Sequence, residues 1–374
     1  MTDPTGGDAG ILYFDHLDRS QTDTFVAQVR TAEASGQPTR FIALPHDFAA
    51  ADHLRTALSG VGRQLEFIPL QLGDLHAEHS GRSLPKGPSA SLDPQPAATN
   101  ITPFDPDRLW LRGGMPESLE AETDAVSVRW RRGLIGDLLS RDYSGRAVAP
   151  GAPLHDIFRW LANKNGDELD EASCPLAKKA ELQSVLYVLE KLGLIRLLRN
   201  FPAGETASFS KKRKLFIRDT GILHALLGVE TIEQLRASSH VGDSFESFAI
   251  DALITAADGA AEPQFYRERV GDDTDEMDLV LDFSPRTSDV VAIEFKVSPS
   301  TGPRPGFYRA RERVGATHSF LVHSGPTSDL DQKVERLDLM SAIRRVRTIA
   351  ETESRRRTAD IQGVGQESAS AHWI

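Results

Sequence analysis

The chain has one cysteine, Cys174, in 374 residues. That excludes an internal disulfide and suits a reducing compartment. No apolar run is long enough to span a bilayer, and the opening MTDPTGGDAG has neither the basic flank nor the apolar stretch of a secretory leader. The expectation is a cytoplasmic protein without membrane contact. Net positive charge is also lacking: 43 Lys and Arg against 54 Asp and Glu leave −11. Attraction to nucleic acid over the whole surface is thereby excluded, because phosphate neutralisation needs clustered cations. Nowhere does a Gly-rich turn end in Gly-Lys-Ser/Thr, the loop whose backbone amides cradle nucleotide phosphate. Without it the chain is expected neither to bind nor to hydrolyse ATP.

What is present is ordinary globular material: 40% hydrophobic and 26% charged residues, in a length that allows two or three domains. Basic residues gather only locally, at Arg129, Arg131 and Arg132, at Lys211, Lys212, Arg213 and Lys214, and at Arg344, Arg345 and Arg347 with Arg355–Arg357. Each group fits either a solvated face or a local phosphate contact.

Residues 1–75 contain strand-like runs (Ile11–Phe14, Arg40–Leu44, Leu65–Leu70) alternating with helical stretches near 20–34 and 48–60, the rhythm of an α/β layer with a parallel sheet. Residues 76–108, rich in Pro, Ser, Gly, Asn and Ala, read as a linker. A helical region at 109–152 follows, with a helical pattern from about 117 to 143 carrying Leu119, Val126, Trp130, Leu134 and Leu138 as its apolar stripe. Residues 153–218 read as three helices (Leu154–Asn163, Leu176–Ala180, Glu181–Leu192) and two strands (Leu194–Leu198, Lys214–Ile217), the order of a winged helix-turn-helix. Its third helix exposes Glu181, Gln183, Ser184, Tyr187, Glu190 and Lys191, a weakly basic set for reading base edges. The wing residues Lys211, Lys212, Arg213 and Lys214 are the candidate phosphate contact. A DNA-binding role and a structural or protein-binding role both remain open there. Residues 219–347 read as a helix (Asp243–Ala256), strands at 264–269, 276–283 and 290–297, a helix at 303–314 and a strand at 318–323. The polar tail, 348–374, is expected to be disordered.

The chemistry-bearing stretch is Glu276–Phe283, a turn, and Val290–Val297 (VVAIEFKV). Period-two alternation puts Glu294 and Lys296 on one face, with Ile293, Phe295 and Val297 on the other. If the turn centres on Arg286, Asp278 lies opposite Glu294, with Cβ atoms about 4.5–5.5 Å apart. Two such carboxylates repel unless a cation or a shared proton compensates, and hard oxygen ligands suit Mg²⁺ or Mn²⁺. Lys296 then stands where it could orient or deprotonate an attacking water, a set suited to phosphodiester hydrolysis. Glu246, on the preceding helix, is a third candidate ligand. Each piece also has a plain structural reading: Glu246 as the N3 residue of a capping box begun by Asp243, and Asp272, Asp273 and Asp275 as an acidic surface loop.

The order of a Glu on a helix, then Asp, then Glu-x-Lys resembles the PD-(D/E)XK restriction-endonuclease-like fold. That resemblance implies Glu246, Asp278 and Glu294 as metal ligands and Lys296 as the residue assisting water. Leu109–Glu117 (LWLRGGMPE), Ser140–Tyr143 (SRDY), Lys214–Gly221 (KLFIRDTG) and Gly242–Glu246 (GDSFE) further resemble a family of uncharacterised bacterial and archaeal proteins. These join an AAA+-like ATPase domain to a winged helix and a C-terminal nuclease-like domain. The fold class implied is α/β: a degenerate AAA+-like parallel sheet, a winged helix and a restriction-endonuclease-like domain. Against that family, Ile11–Asp15 aligns with the Walker B strand, but His16 replaces the catalytic Glu and Pro45-His46 the sensor segment. Gly62, Arg63 and Pro69-Leu70 persist, and the few residues before the first strand leave no room for the missing strand, loop and helix. The first domain is expected to be a remnant scaffold. The expected function is metal-dependent DNA cleavage. The alternative is a non-catalytic DNA- or protein-binding regulator, with an intact ATPase relative as a possible partner.

Overall fold

The computed structural model describes residues 11–17, 19–35, 40–45, 48–59, 69–72, 105–140, 153–202, 212–283, 289–325, 328–331 and 334–353. The chain divides into two compact units, residues 1–68 and 69–374.

In the first unit β1 (Ile11–Leu17) and β2 (Arg40–Pro45) pair in parallel, with Ile11 opposite Arg40. Helix α1 (Arg19–Ser35) makes the crossover and α2 (Phe48–Ala57) follows. Phe25, Val29 and Leu54 form its small buried core, and Arg30 Nη2 donates to the Ala57 carbonyl at 3.0 Å. The alternating rhythm thus gives an α/β pair. The side chains of Asp15, His16 and Pro45, together with residues His46, Gly62 and Arg63, lie outside what the structure describes, as does most of the third expected strand.

The second unit begins with α3 (Pro106–Arg112), α4 (Pro116–Leu119) and α5 (Asp124–Leu139). The helical pattern expected from 117 to 143 is divided between α4 and α5, and Thr123 caps the second by accepting from Val126 N–H at 3.3 Å. Its buried face is Ser127, Val128, Arg131 and Ile135 rather than the expected stripe, and Val126 is 41% exposed. An apolar count fails here because a charged residue, Arg131, occupies the core.

Helix α6 (Leu154–Ala162) matches expectation, but Leu176–Ala180 is not a helix. A 3₁₀ turn, Glu171–Ser173, capped by Asp170, stands in its place, ahead of Pro175. Helix α7 (Lys179–Lys191) leads into the antiparallel pair β3 (Ile195–Asn200) and β4 (Lys214–Ile217). Then come α8 (Thr220–Leu227), α9 (Ile232–Ala237), α10 (Val241–Ala256), β5 (Glu262–Val270), β6 (Asp273–Asp282) and β7 (Val290–Lys296). Helix α11 (Pro305–Arg313), β8 (His318–His323), β9 (Ser328–Asp331) and β10 (Val334–Asp338) follow, and a last helix, α12, is described over 339–353.

Eight strands form one mixed sheet in the order β4-β3-β5-β6-β7-β8-β10-β9. The hairpin expected to be a wing is therefore part of this sheet, joined by a parallel contact of Arg199-Asn200 with Gln264-Phe265. Alternation assigns the two faces. Leu279, Leu281, Val291, Ile293, Phe295, Phe320 and Val322 pack with Phe245, Phe248 and Leu253 of α10 and with Ile343 and Val346 of α12. Val280, Val290, Ala292 and Leu321 pack with Phe307, Ala310 and Val314 around α11. Burial of each such side chain contributes roughly 1.5–3 kcal/mol, which fixes the register of every central strand. Ile349, Ala350 and Glu353 are buried, so the packed chain runs beyond the boundary expected at 347. Residues 354–374 lie outside those described.

Candidate functional site

Strands β6 and β7 pair as Leu279↔Ile293, Val280↔Ala292, Leu281↔Val291 and Asp282↔Val290, the register centred on position 286. Those pairs end at Leu279↔Ile293, and just beyond them the Asp278 side chain reaches toward β7 beside Glu294. Asp278 Oδ2 accepts the Phe295 N–H at 2.9 Å. Glu294 is buried, lies 2.5 Å from Lys296 Nζ through Oε1, and accepts the Arg304 N–H at 3.3 Å through Oε2. Arg304 is the N-cap of α11, so Glu294 also meets the positive end of that helix. Phe295 points the other way and packs edge-on to Phe245, with ring centroids 6.5 Å apart.

Glu246 is not a capping residue. Helix α10 starts at Val241 with His240 as N-cap, which puts Asp243 at N3 and Glu246 in the following turn. Its Oε1 lies 2.6 Å from the ammonium of Lys214. The same ammonium stands 3.5 Å from Asp278 Oδ1 and 3.7 Å from Glu276 Oε1. Lys214 is thus no surface wing residue: its side chain is 5% exposed and it is the cation at the centre of the acidic cluster. Glu276 was not singled out from sequence, although it shares the period-two face of Asp278. The available signal was that spacing.

Charge is incompletely offset here, since four carboxylates (Glu246, Glu276, Asp278, Glu294) face two lysine ammonium groups and, at the edge, the Arg304 guanidinium. Burial, with Asp278 adding to it, pushes the Glu246 carboxyl up to about 8 against the pull of Lys214. Burial likewise raises Glu294 against Lys296. Burial alone would lower Lys214, but Glu246, Asp278 and Glu276 together outweigh it and hold the ammonium charged. Nearby Asp243 is raised by burial and then by Asp167. Among the described residues, no three His, Cys, Asp or Glu side chains are already grouped as a metal shell.

The remaining candidates are dispersed. Lys211 lies outside the described residues. Lys212 is exposed and pairs with Asp170 at 3.1 Å, and Arg213 meets Glu171 at 3.4 Å. On α7, Glu181 accepts from the Lys178 N–H, Gln183 bonds Glu171 and Lys191 covers the Tyr187 ring. The acidic loop expected at 272–275 is partly core: Asp275 is wholly buried in β6 beside Arg309 at 2.7 Å and Arg313 at 3.8 Å.

The segments Leu109–Glu117 and Lys214–Gly221 meet one another. Asp219 accepts from the Gly114 N–H at 2.9 Å and from the Ile222 N–H at 2.8 Å, which caps α8. Arg131 donates to the carbonyls of Leu111 and Gly221 at 3.2 and 2.7 Å. A Cβ on Gly221 would stand 2.0 Å from the Arg112 carbonyl oxygen, and one on Gly114 2.1 Å from that of Leu70. These motifs lock helices together, and their glycines are dictated by backbone approach. Of the SRDY segment, Ser140 ends α5 and residues 141–143 lie outside those described.

A family model described as a domain of unknown function (DUF8612) matches residues 104–233, the region of this lock. Uncharacterised proteins of Mycobacterium bovis and Mycobacterium tuberculosis are each 33% identical over 186 residues, which is 48% of this chain and 41% of theirs. The chain spans about two-fifths of the length of these relatives. A solved structure, the Thermococcus gammatolerans McrB AAA+ hexamer assembly with bound McrC, is similar over 54% of this chain and 78% of the compared one, at 11% identity and a TM-score of 0.22. No helix among the described residues is long and apolar enough to cross a membrane.

Proposed function

We propose that the second unit carries a nuclease-like centre of the PD-(D/E)XK kind, which hydrolyses DNA phosphodiester bonds with Mg²⁺ or Mn²⁺. The observation that supports this is the Asp278 carboxylate held against β7 by the Phe295 N–H, next to Glu294, with Lys296 Nζ 2.5 Å from Glu294. The donor set fits such an ion in kind, because hard carboxylate oxygens outnumber the cations that offset them. Asp278, Glu294 and Glu246 would hold it. A divalent ion, when bound, supplies Lewis acidity and makes water a nucleophile near neutral pH. The Phe295 N–H fixes one oxygen of Asp278 and so orients the other. Lys296 sets the Glu294 rotamer and presents an ammonium to an attacking water and to the phosphoryl oxygens. Arg304, 73% exposed and 4.0 Å from Glu276, offers a phosphate contact at the edge of the cluster.

Elsewhere in the second unit, the helix-helix-hairpin order of 153–218 supports a winged-helix-like module fused to the sheet; taken by itself, the strand-helix-strand of the first unit supports an AAA+-like remnant. With no phosphate-binding loop in the sequence, any nucleotide-driven step would fall to an intact ATPase relative as partner. The test is cleavage of plasmid and single-stranded DNA with either ion, lost in Asp278→Ala.

A second reading is favoured by one specific observation, the Lys214 ammonium between Glu246 and Asp278. In that reading the lysine permanently offsets the acids, and the unit is a non-catalytic binding or regulatory module. It predicts no cleavage with either ion.

A further inference from the structure

We infer that Lys214 is a tethered cation that competes with a divalent ion for Glu246, Asp278 and Glu276, so the position of one side chain regulates occupancy of the centre. This rests on the metal-site reading above. The ammonium contacts are uneven, 2.6 Å to Glu246 against 3.5 and 3.7 Å to Asp278 and Glu276. Glu246 is therefore its anchor, and Asp278 Oδ1 is only loosely engaged. An ion bound to Asp278 and Glu246 would stand within a few ångströms of that ammonium in a site largely shut off from water. Two cations so placed repel strongly, because screening is weak where solvent is excluded. Occupancy by one excludes the other.

The strand itself does not supply the movement. On one side β4 is paired with β3 from Ile195↔Ile217 to Leu198↔Lys214. On the other, Gly166 N–H donates to the Leu215 carbonyl at 2.8 Å, Leu215 N–H to Asp167 at 3.0 Å, and Leu169 N–H to Arg213 at 2.8 Å. Asn165 Oδ1 accepts the Ile217 N–H at 2.8 Å. With the backbone held on both edges, exchange runs through the lysine stem, whose four side-chain torsions allow the ammonium to swing while its Cα stays put. In its present position beside Glu246 the ammonium also lies 5.6 Å from the Phe216 ring.

The experiment uses the full chain, stripped with chelator, titrated with MnCl₂, and followed by thermal unfolding and by the paramagnetic signal of free Mn²⁺. Wild type, Lys214→Met and Lys214→Met/Glu246→Gln are compared. Lys214→Met should lose melting temperature in chelator, because its acids have lost their cation. It should regain it with Mn²⁺, at a half-saturation at least about tenfold below wild type, and the double variant should lose that gain. If Lys214→Met does not fold, Lys214→Gln, which keeps a neutral donor toward Glu246, is read in the same way. Binding of Mn²⁺ no tighter in the variant than in wild type overturns the inference. If wild type binds Mn²⁺ saturably and the variant is unchanged, the metal reading stands and the competition falls. If only the variant binds, the competition stands and the native metal-dependent activity falls.

Discussion

Lys296 and Glu294 sit two residues apart on the same face of β7, and their charged ends close to 2.5 Å. An ion pair between neighbours on one strand face leaves the ammonium free to stay with the carboxylate or to turn toward a reacting group. Removing either Asp278 or Glu294 should therefore abolish metal-dependent cleavage. Lys296→Ala should keep Mn²⁺ binding but slow turnover, by about 10²–10⁴-fold. Single-turnover cleavage alongside Mn²⁺ titration checks this. Equal activity in wild type and the Asp278→Ala/Lys296→Ala double variant would sink the assignment.

Nucleotide should leave the chain untouched. No loop in the sequence ends in Gly-Lys-Ser/Thr, so calorimetry with ATP and Mg²⁺ should give no micromolar binding. A saturable heat in that range would mean that the first unit holds nucleotide by another route.

His224 sets an acid limit on stability. Its Nδ1–H donates to the Leu111 carbonyl at 2.8 Å, and its Nε2 accepts from Ser244, whose oxygen in turn accepts from Trp110. Burial lowers its pKa from 6.5 to about 4. The unfolded chain therefore takes up a proton that the folded one refuses. Stability is full above 6.5 and falls as pH drops toward 4, by roughly 2–3 kcal/mol from this group. His224→Gln should flatten the melting temperature between pH 6.5 and 4. An imidazole signal of His224 titrating near 6.5 in the folded protein would refute the burial argument.

Arg131 is the residue on which the helical lock depends. It is wholly buried, and burial lowers it to about 10 against the pull of Asp219. Arg131→Met removes both carbonyl contacts and the counter-charge of a buried carboxylate, a class of change that costs about 3–5 kcal/mol. Differential scanning calorimetry should show a loss of the order of 10 °C, with Arg131→Lys intermediate because it keeps the charge but loses the Nε contact to the Ser127 carbonyl at 3.3 Å. A loss under about 2 °C in Arg131→Met, small on the same scale, would rule this out.

The fold was most legible where one rule decides the outcome. VVAIEFKV is apolar enough to be covered on both faces, and a turn centred on position 286 sets the pairing of Leu279 with Ile293, so β7 and its register with β6 follow from counting residues. Residues whose burial depends on distant partners were opaque. Arg131 and Lys214 sit in basic runs that read as solvated, and only the convergence of remote groups reveals them as core. Glu276 was legible by spacing and was passed over. The parallel contact between β3 and β5 leaves no local signature, so the hairpin read as a separate wing.

Lys214 is separated from Glu246 by 32 positions and from Asp278 by 64. Closing such loops is slow compared with winding a helix or zipping a hairpin. During refolding the β6–β7 ribbon can therefore form while its acids are still fully hydrated. In the folded chain it is β4, at the edge of the sheet, that brings the cluster its lysine. Assembly of the acidic cluster is thus expected to follow pairing of the β6–β7 ribbon, because its closest ion pair joins segments that are remote in sequence.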